Sequence, residues 1–103
     1  MLDFLKNVFN SGPATDYKTL LEAGAIIVDV RTAGEFSQGH IKGSVNIPLD
    51  QIGTKIAFLQ GKNVPIITVC RSGARSSSAA GILKNSGIEV YNGGAWDALN
   101  AQI

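Results

Sequence analysis

The chain has little of several things that would otherwise declare a function. It has one cysteine, one histidine, one tryptophan and three prolines in 103 residues. A lone cysteine, Cys70, cannot close an internal disulfide, so cysteine usage does not ask for an oxidising compartment. With no second cysteine and no histidine cluster, a metal site is not expected, and neither is any other cofactor. Excess charge is also scarce. Nine basic against eight acidic residues leave +1, which provides no global field for nucleic acid or a membrane surface. Any anion binding must be local. No segment approaches the ~20 apolar residues of a membrane helix. The opening Met1-Leu2-Asp3-Phe4-Leu5-Lys6 meets a negative charge too early for a signal peptide. A cytoplasmic monomer is the expectation.

What is present suits one globular unit. Hydrophobic residues make up 45% and charged residues 17%, and 103 residues can enclose a core without covalent staples. The densest chemistry lies in Val69-Cys70-Arg71-Ser72-Gly73-Ala74-Arg75-Ser76. The apolar run Ile66-Ile67-Thr68-Val69 before it reads as a buried strand, and Ser77 to Lys84 after it reads as a helix. Cys70 therefore stands where a strand's C-terminal edge meets a helix N-terminus, the edge at which open α/β sheets bind ligands. Loop N–H groups and the positive helix end form an anion cradle there. With Arg71 and Arg75 on either side, the same field should pull the thiol pKa down and favour thiolate.

The remaining chain alternates helices and strands. After Asn10-Ser11-Gly12-Pro13, either Thr15 or Asp16 caps a helix to Ala23 that Gly24 stops. Leu2, Leu5 and Phe9 before it either line one face of a short helix or belong to a frayed end. Ala25 to Val30 is β-branched and continuous, as in strands buried on both faces. Thr32 caps a short helix from Ala33 to Ser37 that ends at Gly39. Ser44 to Ile47 is a strand stopped by Pro48. Leu49 to Leu59 reads as a helix with Ile52, Ile56 and Leu59 on one stripe and Gly61 closing it. The helix after Cys70 is placed from Ser76 to Ser86, with an apolar face of Ala79, Ala80, Ile82 and Leu83. Gly81 is read as a point of close approach to the sheet. Ile88 to Tyr91 is a strand, Asn92-Gly93-Gly94 a loop, and Ala95 to Ala101 a terminal helix carrying Trp96. This alternation specifies an α/β fold with a parallel sheet and right-handed crossovers.

Three motifs then resemble one family, the rhodanese-like sulfurtransferases. Asp29-Val30-Arg31, Glu35-Phe36, Gly39-His40-Ile41, Gly43-Ser44 and Asn46-Ile47-Pro48 are similar to its N-terminal signature. Cys70 to Arg75 is similar to its active-site loop, and Gly93-Gly94-Ala95-Trp96 to its C-terminal signature. The resemblance spans nearly all of residues 14–103, taken as a single domain after an extension of residues 1–13. It implies a rhodanese-like fold, a central parallel sheet of four to five strands with helices on both sides. It also implies a cysteine persulfide intermediate, with thiosulfate or another sulfane compound as donor.

Each candidate residue receives a role on its chemistry. Cys70 is the nucleophile. Arg75 is read as an inward anion ligand, and Arg71 as pointing to solvent to meet the donor. Ser72, Gly73 and Ala74 act through their N–H groups, with Gly73 free to take a positive φ. A carboxylate close to sulfur would disfavour thiolate. Asp29 is therefore assigned to pairing with Arg31 or to tying down loop backbone, and Glu35 to supporting the site or to packing. His40 tempts one to a Cys–His dyad, but a pre-formed thiolate needs no base, so it is assigned to local backbone. Trp96 is assigned to the core, with its loop near enough to border the pocket.

A rival with the same architecture is the cysteine-dependent phosphatase or arsenate reductase, whose loop reads Cys-x5-Arg. Here the second arginine comes one residue early, as Cys-x4-Arg, and Val69 stands where a histidine often precedes the nucleophile. The shorter loop makes a ring suited to a single sulfur and too tight for a tetrahedral phosphate. The expected activity is therefore transfer of sulfur through a Cys70 persulfide to cyanide or a thiol acceptor, with ping-pong kinetics. A small thiol, a thioredoxin-like protein or a sulfur-carrier protein could be the acceptor. The alternative is a persulfide carrier or redox-interaction module that delivers sulfur only to a protein partner.

Overall fold

The computed structural model describes residues 15–103. The expected N-terminal extension, with Leu2, Leu5 and Phe9, the Asn10–Pro13 loop and any strand before Asp16, lies outside the described residues. Four parallel strands form one sheet in the order β2-β1-β3-β4: β1 Ile26–Asp29, β2 Val45–Asn46, β3 Ile66–Cys70 and β4 Val90–Ala95. Helices α1 Tyr17–Glu22, α2 Ala33–Ser37, α3 Ile56–Lys62, α4 Ala74–Asn85 and α5 Trp96–Asn100 connect and cover it. Among the described residues no helix is long and apolar enough to cross a membrane.

Strand alternation divides the core between two faces of the sheet. Val28, Val30, Ile66 and Cys70 point one way, where Ile52, Leu59, Ala79 and Leu83 cover them. Ile27, Ile67 and Val69 point the other way, against Leu99, with Tyr17, Leu20, Leu21 and Trp96 alongside. The central strand β3 is buried along its whole length, the reason its sequence shows no polar face. At about 25 cal/mol per Å² of apolar area, such burial is the main force holding the strands.

The first two helices follow their caps. Asp16 accepts from Thr19 N–H at 3.1 Å to start α1. Thr32 and Glu35 form a reciprocal capping box on α2.

Four expectations are corrected. The Leu49–Leu59 helix is a 3₁₀ segment, Leu49–Lys55, followed by α3, whose end is Asn63 in the left-handed region at φ 54° and not Gly61. The break at Lys55 (φ −110°, ψ 7°) still leaves Ile52 and Leu59 inward, because both connect to the same apolar face. Helix α4 starts at Ala74, two residues before the expected Ser76. Its inward stripe is Ser76, Ala79 and Leu83, whereas Ile82 is exposed. Gly81 makes no close approach, since a Cβ there would meet nothing within 4 Å. Finally, Asn92-Gly93-Gly94 is not a loop but the middle of β4.

This last correction has a steric cause. Pairing of β3 with β4 shifts register between Thr68 and Val69, so that Thr68 faces Asn92 and Val69 faces Gly94. Gly93 is the extra residue of this bulge. A Cβ on it would lie 2.9 Å from Ile67 Cγ2, 3.0 Å from the Thr68 carbonyl and 3.0 Å from Val69 Cγ1. Glycine is the residue that lets the strand continue there.

Candidate active site

The loop between β3 and α4 folds around one sulfur. Cys70 is the last residue of β3 and is 1% exposed. Gly73, in the left-handed region at φ 105°, turns the chain so that its own N–H donates to Cys70 Sγ at 3.0 Å. No side-chain oxygen caps the 12-residue α4. The Cys70 sulfur takes that place, accepting from the Ser76 N–H at 3.4 Å in the first helical turn. Ser76 Oγ lies 3.4 Å from the sulfur as well.

These contacts set the acidity of the thiol. Burial is the largest single influence and pushes the pKa up. The Ser76 hydroxyl and the N–H groups of Ser76, Gly73 and Ser72 together outweigh it, so Cys70 lies below an ordinary thiol. The positive end of α4 acts in the same direction.

Arg75 sits elsewhere than the sequence suggests. Its two terminal nitrogens donate to Glu35 Oε1 at 2.8 Å and Oε2 at 3.0 Å. The structure thus gives Arg75 a partner that the sequence does not suggest: a carboxylate occupies the fork, which ties α4 to α2. The guanidinium still feels the charge of Cys70, so its positive field reaches the sulfur. Glu35 also accepts from the Thr32 N–H at 3.0 Å, and its carboxyl is held at about 2, first by the Arg75 hydrogen bonds and then by Thr32. Arg71 and Ser72 are exposed on the loop, and Ala74 is exposed at the first position of α4.

Asp29 and Arg31 pair at the C-terminal end of β1. Both are buried, at 0% and 5% exposure, and Arg31 Nη2 donates to Asp29 Oδ2 at 2.7 Å and Nε to Oδ1 at 2.9 Å. Arg31 Nη2 also donates to the Gly39 carbonyl at 2.7 Å. The guanidinium carbon lies 4.6 Å from the centre of the Trp96 ring. Trp96 thus packs in the second core cluster and also borders a cleft of about 310 Å³ beside the loop, with Arg31, Glu35, Gln38, Arg71 and Asp97. His40 is engaged within its own segment. Its Nδ1 bonds the Phe36 carbonyl at 2.7 Å, and its ring stacks on Phe36 at 3.7 Å.

Two residues that local sequence pattern does not single out belong to the site, Ser76 and Asn92. Ser76 Oγ donates to Asn92 Oδ1 at 2.6 Å, and Asn92 Nδ2 donates to the Gly73 carbonyl at 3.3 Å. A helix started at Ala74 would have placed Ser76 in its first turn, facing the sulfur. Nothing local marks Asn92, because the bulge that aims it depends on β3.

Comparison with known proteins agrees with this fold. Residues 13–100 match the family described as the rhodanese-like domain. The thiosulfate sulfurtransferase GlpE of Stutzerimonas stutzeri is 36% identical over 85 residues, which cover 82% of this chain and 77% of that protein. Among solved structures, a rhodanese with anions from E. coli superposes with a TM-score of 0.67 at 30% identity, over 78% of this chain and 92% of that one. Reduced CoADR-RHD from Bacillus anthracis gives 0.71 at 33% identity, over 82% of this chain and 15% of that larger one.

Proposed function

Because the chain belongs to the family of rhodanese-like domains, we propose that it is a sulfurtransferase whose Cys70 carries the sulfur. The observation that supports this most is the set of N–H groups trained on Cys70 Sγ at the start of α4. Such donors stabilise an anion on sulfur without a reorganisation cost during the reaction. The likeness to proteins named thiosulfate sulfurtransferases supports thiosulfate as a donor.

In the first half-reaction the Cys70 thiolate forms a bond to the outer sulfur of thiosulfate. The bond between the two thiosulfate sulfurs breaks, and its electron pair leaves with sulfite. Cys70 is left as a persulfide with the negative charge on its outer sulfur. In the second half-reaction cyanide or a thiolate bonds to that outer sulfur, and the Cys70–sulfur bond breaks to return the thiolate. Charge balances in both halves and no proton is transferred, so no general base is needed. The placement of His40 on Phe36 is compatible with that. Exposed Arg71 attracts the dianion at the mouth of the loop, and Arg75 adds positive field while it holds Glu35.

Thiocyanate formation from thiosulfate and cyanide tests the reading. Parallel double-reciprocal lines, lost in Cys70→Ser, are the expected result. Equal turnover by the variant refutes a role for Cys70. If wild type is inactive with cyanide yet forms a persulfide that a protein thiol can discharge, the carrier alternative holds instead.

A further inference from the structure

The amide of Asn92 reaches from β4 to the loop that holds the sulfur. Its Oδ1 accepts from the Gly94 N–H at 3.0 Å, while its Nδ2 donates to the Gly73 carbonyl at 3.3 Å. These two backbone groups can be served only one way round, so the orientation of the amide is fixed. The same Oδ1 lies 2.6 Å from Ser76 Oγ. An amide oxygen has nothing to donate, so the Ser76 hydroxyl donates to it. Ser76 is fully buried and has a single hydroxyl proton. Two more acceptors lie in reach of it, the Gly73 carbonyl at 3.1 Å and Cys70 Sγ at 3.4 Å.

Counting protons couples these groups. While the proton is on Asn92, Ser76 Oγ turns a lone pair toward Cys70. That suits a thiol, whose S–H donates to the oxygen. It does not suit a thiolate, which would face the lone pair. The hydroxyl joins the Gly73 and Ser76 N–H groups in serving an ionised sulfur only when it turns from Asn92 to Sγ and gives up its shortest bond. We propose that Asn92 is a positioning residue that competes with Cys70 for the one proton of Ser76, so that ionisation of Cys70 is coupled to a turn of that hydroxyl. The S–H bond breaks to solvent while the O–H bond only rotates. The proposal rests on Cys70 being the nucleophile of sulfur transfer. In that cycle the charge moves to the outer persulfide sulfur, and the hydroxyl returns to Asn92.

Because Cys70 is the only cysteine, the pH dependence of its alkylation by iodoacetamide reads its pKa with no sulfur donor or acceptor present. Asn92→Ala is expected to lower the midpoint by about half a pH unit or more, since the freed hydroxyl can serve the thiolate. Ser76→Ala is expected to raise it, and Asn92→Ala to add nothing in that background. A residue that merely braces the loop behaves otherwise: its loss raises the midpoint whether or not Ser76 is present. That result, or an unchanged midpoint, overturns the proposal. If Asn92→Ala does not fold, isosteric Asn92→Asp replaces it. Its charge raises the midpoint in both backgrounds, and by more where Ser76 is there to be held; equal shifts sink the coupling. Alkylation needs no turnover of thiosulfate, so failure of the coupling and failure of the sulfurtransferase reading are seen separately.

Discussion

Arg75 and Glu35 lie forty residues apart in sequence, and their side chains meet through two hydrogen bonds of 2.8 and 3.0 Å. Glu35 is itself half of the capping box that starts α2. One carboxylate therefore joins the N-terminal turn of α2 to the first turn of α4. The arginine that flanks the cysteine in sequence acts on it through a partner that sequence does not place.

That pair makes stability depend on acid. The Glu35 carboxyl is at about 2 in the fold against an ordinary 4.5. Its contribution is complete above the unfolded value and fades as pH falls from 4.5 toward 2. Both side chains are about one-third exposed, at 35% and 31%, so water screens the pair. Urea midpoints measured from pH 7 to pH 2 should fall across that window in wild type. Glu35→Gln should start lower at pH 7 and lose that part of the slope. An identical slope in the variant would refute the role of Glu35.

Asp29 and Arg31 behave differently because both are buried. Removing one charge leaves the other uncompensated in the interior, at a cost of about 3–5 kcal/mol. Asp29→Asn should lower the unfolding free energy by that order, a large share of a stability of roughly 5–15 kcal/mol. Equilibrium denaturation measures it. A loss under about 1 kcal/mol would mean that the pair is solvated in solution.

Gly93→Ala should strain the strand that carries Asn92. The added Cβ would press on Ile67, Thr68 and Val69 at 2.9–3.0 Å, and all three belong to β3 inside the sheet. Overpacking of this kind costs about 1–3 kcal/mol. At about 4–8 °C per kcal/mol for a domain of this size, calorimetry should show a clear fall in Tm. A melting temperature indistinguishable from wild type would contradict the bulge.

Arg71 is the exposed cation at the mouth of the loop. Arg71→Glu should raise KM for thiosulfate by roughly tenfold, about 1.4 kcal/mol, with Tm little changed. The effect should shrink as salt rises, because an exposed charge is screened within about 10 Å at 0.1 M. A KM indifferent to both charge and salt would place donor binding elsewhere.

Much of the site is legible in the sequence. Strand, tight loop and helix around Cys70 follow from local pattern, as do the cap at Thr32 and a cap at Thr15 or Asp16, because each is decided within a few residues. Arg75 misleads for the opposite reason. An arginine beside a cysteine invites an anion-ligand role, yet its fork is claimed by Glu35 from another helix. Asn92 and Gly93 look like a turn because asparagine and glycine usually make one. Only the register of β4 against β3 shows that they form a bulge.

The sequence by itself determined the α/β alternation, the parallel sheet and the cysteine at a strand-to-helix junction, since hydrophobic periodicity and turn chemistry are short-range. It also determined the family, through motifs spread along the chain. The tertiary structure alone decided which groups share the Cys70 sulfur and which arginine is already paired. It also decided where the Ser76 proton goes. Hydrogen bonds act over about 3 Å, and the residues that compete for them come from three different elements whose approach no local pattern encodes.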